Sequence, residues 1–101
     1  MSLKVTKEKI VEVFAKYRSR FQFSPRRGPI EKNFCDWDGG EAAGHVSFMC
    51  DEGIKFAQDG RTEKAMRWLG FLQGFLWARS LYTIAQLGEH NMSPSETPDA
   101  A

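Results

Sequence analysis

The sequence predicts an all-α protein: three main helices and a short C-terminal one, with a long proline-containing loop between helices 1 and 2. Three observations predict it. Apolar residues recur at three- and four-residue steps in successive stretches, each bounded by a helix-start or helix-stop signal. No run alternates apolar and polar residues long enough to make a strand. The prolines fall only at positions 25, 29, 94 and 98, outside those stretches. With 101 residues, 42% apolar, the chain has material for one modest core.

The first helix is expected over residues 6–21. Thr6 is a suitable N-cap, and Ile10, Val13, Phe14, Tyr17 and Phe21 form its apolar stripe. Residues 22–40 hold Pro25, Gly28, Pro29, Gly39 and Gly40 and read as a loop. That loop also carries Phe23, Ile30, Phe34 and Trp37, so it is expected to be pinned onto the core.

The second helix begins near Asp38–Glu41, where acidic residues suit a helix N-terminus, and ends at Gly60. Val46, Met49, Cys50, Gly53, Phe56 and Ala57 form its expected inner face. Glu41, His45, Glu52, Lys55 and Asp59 are assigned to solvent.

Thr62 is the expected cap of the third helix, residues 63–81. Its large apolar side chains, Trp68, Phe71, Phe75 and Trp77 among them, cover nearly the whole circumference, so the helix should be enclosed either by other elements, the 22–40 loop among them, or by a partner subunit. Gly70 and Gly74 lie one above the other and cost the helix about 1 kcal/mol each against alanine. A second helix crossing closely there would offset that cost. Thr83 and Gln86 fit a capping box for a fourth helix ending at Gly88. Domain organisation follows: residues 1–88 form one helical domain, and the polar residues 89–101 a flexible tail.

The net charge of +1 provides no global basic field for nucleic acid. The charge is nevertheless divided: residues 1–34 hold nine Lys/Arg and three Glu, residues 35–101 five Lys/Arg and ten Asp/Glu. The start MSLKVTKEK has no apolar signal core, so a cytoplasmic setting with reduced cysteines is expected. The apolar stretch Ala65–Leu87 is interrupted by Arg67, Gln73, Arg79 and Gln86 and is no membrane span.

Motifs for chemistry are few. Cys35, His45, Cys50 and His90 lack zinc-ligand spacing; Cys50 is expected inside and His90 in solvent. Glu41 and Glu52 are separated by about 16 Å of helix rise, too far to share a small site with His45. Asp36 and Asp38 lack the remaining ligands of a calcium loop. No nucleophile elbow, phosphate loop or dinucleotide fingerprint occurs. No catalytic residue, metal or cofactor is therefore expected, and the chain reads as a non-enzyme.

The basic group Arg18, Arg20, Arg26, Arg27 and Lys32 is the strongest polar feature. Arg18 and Arg20 complement the end of a helix dipole, whereas Arg26 and Arg27 sit between prolines and could hold a phosphate backbone. Arg67 has two expected partners: Glu63 within its own helix, or Asp51 and Glu52 across the Gly60 turn.

The run Gly60–Trp77, GRTEKAMRWLGFLQGFLW, followed by YTIAQLGEHN over Tyr82–Asn91, resembles small phage- and prophage-encoded proteins without an assigned activity. Their pattern pairs H-x-x-x-M-C-x-E with E-K-A-x-R-W-L-G-F-x-Q-G-x-L-W and a T-I-x-x-L ending. His45, Met49, Cys50 and Glu52 match the first part; Glu63, Lys64, Arg67, Trp68, Gly70, Gln73, Gly74 and Trp77 match the second. The resemblance spans residues 45–91 and implies a setting, an accessory protein made in a bacterial host cell, but no mechanism.

The leading expectation is a helical interaction protein that self-associates, a dimer being the commonest closed assembly. Trp68, Gly70, Phe71, Gly74, Phe75 and Trp77 would form its interface or helix packing, and a host or phage macromolecule would be its further partner. The alternative is nucleic-acid or phosphate-ligand binding through the basic group. It demands binding that falls steeply with salt and is lost in Arg26→Ala with Arg27→Ala.

Overall fold

The structure, a computed structural model, describes residues 6–22, Gly28 and 39–92. They form four helices: α1 (Lys7–Arg20), α2 (Gly39–Gln58), α3 (Thr62–Ala78) and α4 (Ile84–His90). No strand occurs among the described residues. The fold is the expected all-α bundle; the course of the proline-containing loop lies outside the described residues, except at Gly28.

Local signals set most helix ends. The Thr6 hydroxyl accepts the Lys9 backbone N–H at 3.1 Å and starts α1. Ile10, Val13, Phe14 and Tyr17 then fall on one face and are buried, chiefly against α2. The two helices meet closely at Gly53 of α2, where an added Cβ would overlap the Phe14 ring. Glycine there lets a phenyl ring rest directly on a helix backbone.

At the end of α2, Gly60 takes φ +83°. Its N–H reaches the Ala57 carbonyl at 3.1 Å, and Arg61 N–H reaches the Phe56 carbonyl at 2.8 Å. These are the paired bonds of a Schellman turn. The turn delivers the chain straight into α3, so Arg61 occupies the N-cap position and makes no side-chain cap bond. Thr62 is thus the first helical residue and not the cap expected of it.

α3 ends sooner than expected, at Ala78, in a second turn of the same kind. Ser80 N–H bonds the Trp77 carbonyl at 2.9 Å, and Leu81 N–H bonds the Leu76 carbonyl at 3.0 Å. Here the left-handed position is filled by Ser80, with φ +63°. The Thr83–Gln86 capping box then forms with both of its bonds, and α4 continues to His90, two residues past the expected stop at Gly88.

α2 departs most from its expected face. Glu41 and His45 are buried, and Glu52 is half-buried; only Lys55 and Asp59 of that group are exposed. The helical wheel assumed one inner face. α2 instead lies between α1 and α3, so it is covered from two sides. The His45 ring lies against Phe48 and, on α3, Phe75. No helix among the described residues is long and apolar enough to cross a membrane.

Candidate functional site

α3 has two faces of opposite character. Ala65, Leu69, Leu72, Gln73, Phe75 and Leu76 point inward and are buried. Met66, Gly70, Gly74 and Trp77 follow one another at three- and four-residue steps on the outside, with Phe71 beside Gly70 at the edge of that face. Met66 is 44% exposed, Phe71 67% and Trp77 53%, and Ile84 on α4, at 69%, extends the same apolar surface. Trp77 and Ile84 share an open groove across the α3–α4 turn.

The described helices leave this side of α3 open; of the two expected covers, the loop or a second subunit, the loop residues 23–27 and 29–38 lie outside the described residues. α1 and α2 cover one side of it, and α4 is too short to wrap the other. Apart from the backbone of α3 itself, no described atom lies within 4 Å of a Cβ built on Gly70 or Gly74, so none of the described helices crosses there. The six expected packing residues divide accordingly. Trp68 meets Phe56 edge-on with ring centroids 4.9 Å apart, and Phe75 packs on His45. Gly70, Phe71, Gly74 and Trp77 form the outer face.

Behind that face lies a polar cluster. Gln73 Nε2 donates to the Tyr17 hydroxyl at 3.0 Å and to Asn91 Oδ1 at 2.8 Å, while Asn91 Nδ2 donates back to Gln73 Oε1 at 3.0 Å. The Tyr17 hydroxyl also lies 2.7 Å from His90 Nδ1. Tyr82 closes the group, its ring perpendicular to that of His90 with centroids 4.8 Å apart. His90 is therefore not the solvated side chain expected at the edge of a tail, and Glu89–Asn91 belong to the fold; residues 93–101 lie outside the described residues.

Burial pushes the Tyr17 phenol up to about 12, and the hydrogen bond from Gln73 opposes the shift only in part. The Cys50 thiol, buried as expected, is likewise raised to about 12 by burial, with Asp51 adding and Arg18 opposing. Both groups stay protonated at neutral pH, the opposite of what an activated nucleophile needs. Burial lowers the His45 pKa.

The basic residues have structural partners where they are described. Arg18 Nε meets Asp51 Oδ1 at 3.1 Å, and its Nη1 donates to the Phe21 carbonyl at 2.9 Å and to Ser47 Oγ at 3.2 Å. It ties the end of α1 to α2. Arg20 lies over the Tyr82 ring, 5.0 Å from its centroid. Arg26, Arg27 and Lys32, like Cys35, Asp36 and Asp38, lie outside the described residues. Arg67 pairs with Glu63 at 3.1 Å on the surface, the intrahelical alternative of the two expected. No three His, Cys, Asp or Glu side chains converge to hold a metal among the described residues.

Sequence reasoning missed the Tyr17–Gln73–His90–Asn91 cluster. One signal was available: Gln73 falls among Leu69, Leu72 and Leu76, and a lone amide in a buried stripe needs hydrogen-bond partners. Comparison of the chain with protein-family models, curated proteins and solved structures finds no match.

Proposed function

We propose that this chain is a non-enzymatic helical interaction protein that self-associates through the outward face of α3. The carrying observation is the exposure of Met66, Phe71 and Trp77 around bare backbone at Gly70 and Gly74. With Ile84 they present on the order of 500 Å² of apolar surface. That lies at the upper end of what monomers expose, roughly 300–600 Å², and patches of that size are often functional.

A second copy is the occupant best matched to this face. Large side chains flank a notch left by two glycines, so the surface carries both the projection and the recess that a two-fold interface needs. The four large residues supply more than half of the roughly 800 Å² per partner typical of a stable complex. The glycines, costly within an isolated helix, then serve a close approach between helices of two subunits. Protonated, enclosed Tyr17 and Cys50 favour a binding role over a reaction. The motif shared with phage-encoded proteins supplies the setting, an accessory protein in a bacterial cell whose further partner is a host or phage macromolecule.

Sedimentation equilibrium tests the reading. The native chain is expected to show concentration-dependent association in the range of about 1–100 μM, and Phe71→Glu to remain a folded monomer. A native chain that stays monomeric to about 1 mM overturns the proposal.

A further inference from the structure

The short helix α4 is held against α1 and α3 by few groups: Leu87 in the core, the Tyr82 ring, and the polar cluster ending at His90 and Asn91. The hydrogens of that cluster can be counted. Gln73 Nε2 lies 3.5 Å from the Leu87 carbonyl as well as near Tyr17 and Asn91 Oδ1. Turning the amide over would set its oxygen against that carbonyl, so the nitrogen belongs where it stands. Its two hydrogens then go to Asn91 Oδ1 and the Tyr17 oxygen. The Tyr17 hydroxyl, accepting from Gln73, has one hydrogen left, and His90 Nδ1 lies 2.7 Å away to receive it. With hydrogens so assigned, His90 Nδ1 is the acceptor at the end of the chain.

We propose that this chain of hydrogen bonds is a proton-sensitive latch: α4 stays docked while His90 Nδ1 accepts from Tyr17, and protonation of His90 releases it. A proton on Nδ1 sets a donor against a donor. If the Tyr17 hydroxyl turned to accept, its own hydrogen would be stranded at a fully buried residue. The α1 residues facing the imidazole oppose a positive charge: Lys16 and Lys9 lie on that side, with Glu12 paired to Lys9 at 3.0 Å. Arg20 stands beyond, over Tyr82. From α4 itself Glu89 favours the cation, and α3 contributes the neutral Gln73. Burial first, then Lys16, lower the His90 pKa against the partial opposition of Glu89.

The direction of linkage follows. Released α4 carries a histidine of ordinary pKa, about 6.5, which binds protons more readily than the docked one. Docking is at full strength above that pH, weakens as pH falls below it, and has lost all of this contribution once pH has fallen through the docked value. At about pH 5.5 a released imidazole is about ten parts protonated to one neutral, so docking can weaken by up to about tenfold.

The experiment follows two NMR signals of the full chain between pH 7.5 and 5.5: the imidazole carbon resonances, and the exchange protection of the Leu87 amide corrected for intrinsic rate. The expected result is a fall in Leu87 protection that begins below about pH 6.5 and continues down to the His90 midpoint, not that of His45, while Leu72 in α3 keeps its protection. His90→Gln should abolish the pH dependence. Tyr17→Phe should move the His90 midpoint up toward the ordinary value. Leu87 protection that is flat with pH in the native chain, or that falls equally in His90→Gln, overturns the proposal. If either variant fails to dock α4 at any pH, coincidence of the two native signals still decides.

Discussion

Gln73 and Phe71 stand two residues apart on α3 in reversed surroundings. The amide is buried, bonded to Tyr17 and Asn91, while the phenyl ring is 67% exposed. The difference teaches what sets the orientation of this helix. Leu69, Leu72 and Leu76 fill the space left by α1 and α2, and Gln73 follows them inward because α1 and α4 supply matching polar groups. Phe71 and Trp77 have no such space left within the described part of the chain. Orientation is decided by the shape and polar partners of neighbouring helices, and side-chain hydrophobicity alone does not rank Phe71 above Gln73 for burial.

Truncation on the two faces separates these roles most sharply. Leu72→Ala is expected to lower stability by about 2–5 kcal/mol in urea unfolding, because it leaves a void in a fully buried site. Phe71→Ala should change the stability of the monomer by less than about 0.5 kcal/mol. A comparable loss in both would mean that α3 has no free face.

The glycines repeat the contrast with opposite sign. Gly53→Ala forces a methyl into the Phe14 ring and should cost about 1–3 kcal/mol. Gly70→Ala and Gly74→Ala meet open space and should each stabilise the monomer by about 0.5–1 kcal/mol while weakening self-association. Monomer melting and sedimentation, read on the same variants, separate the two effects.

The smallest expected effect concerns the two ends of α3. Gly60 and Ser80 fill equivalent left-handed positions, and only the second pays the steric cost of a side chain there. Ser80→Gly should raise stability by about 0.5–1 kcal/mol in urea unfolding. A loss instead would show that the Ser80 side chain contributes a contact of its own.

What could be read from the sequence followed the range of each interaction. Thr6, Gly60 and the Thr83–Gln86 box act within a few residues, and all three took their expected places. Thr62 failed as a cap because the neighbouring Schellman turn claimed the position first. Glu41 and His45 were misplaced because their cover comes from packing that periodicity along α2 does not encode. The Tyr17–Gln73 and Tyr17–His90 bonds span 56 and 73 positions, so nothing local announces them. The outer face was half legible: the surplus of apolar side chains on α3 was plain, but which of them the bundle leaves uncovered depends on where α1 and α2 end.

The enclosed thiol of Cys50 has a practical consequence. With its pKa raised to about 12 and its sulfur sealed in the core beneath α1, it meets an alkylating reagent only during moments when the bundle comes apart. In a chain carrying Cys35→Ser, the rate of its modification becomes a clock for those excursions, ticking at the frequency with which the native state breathes open.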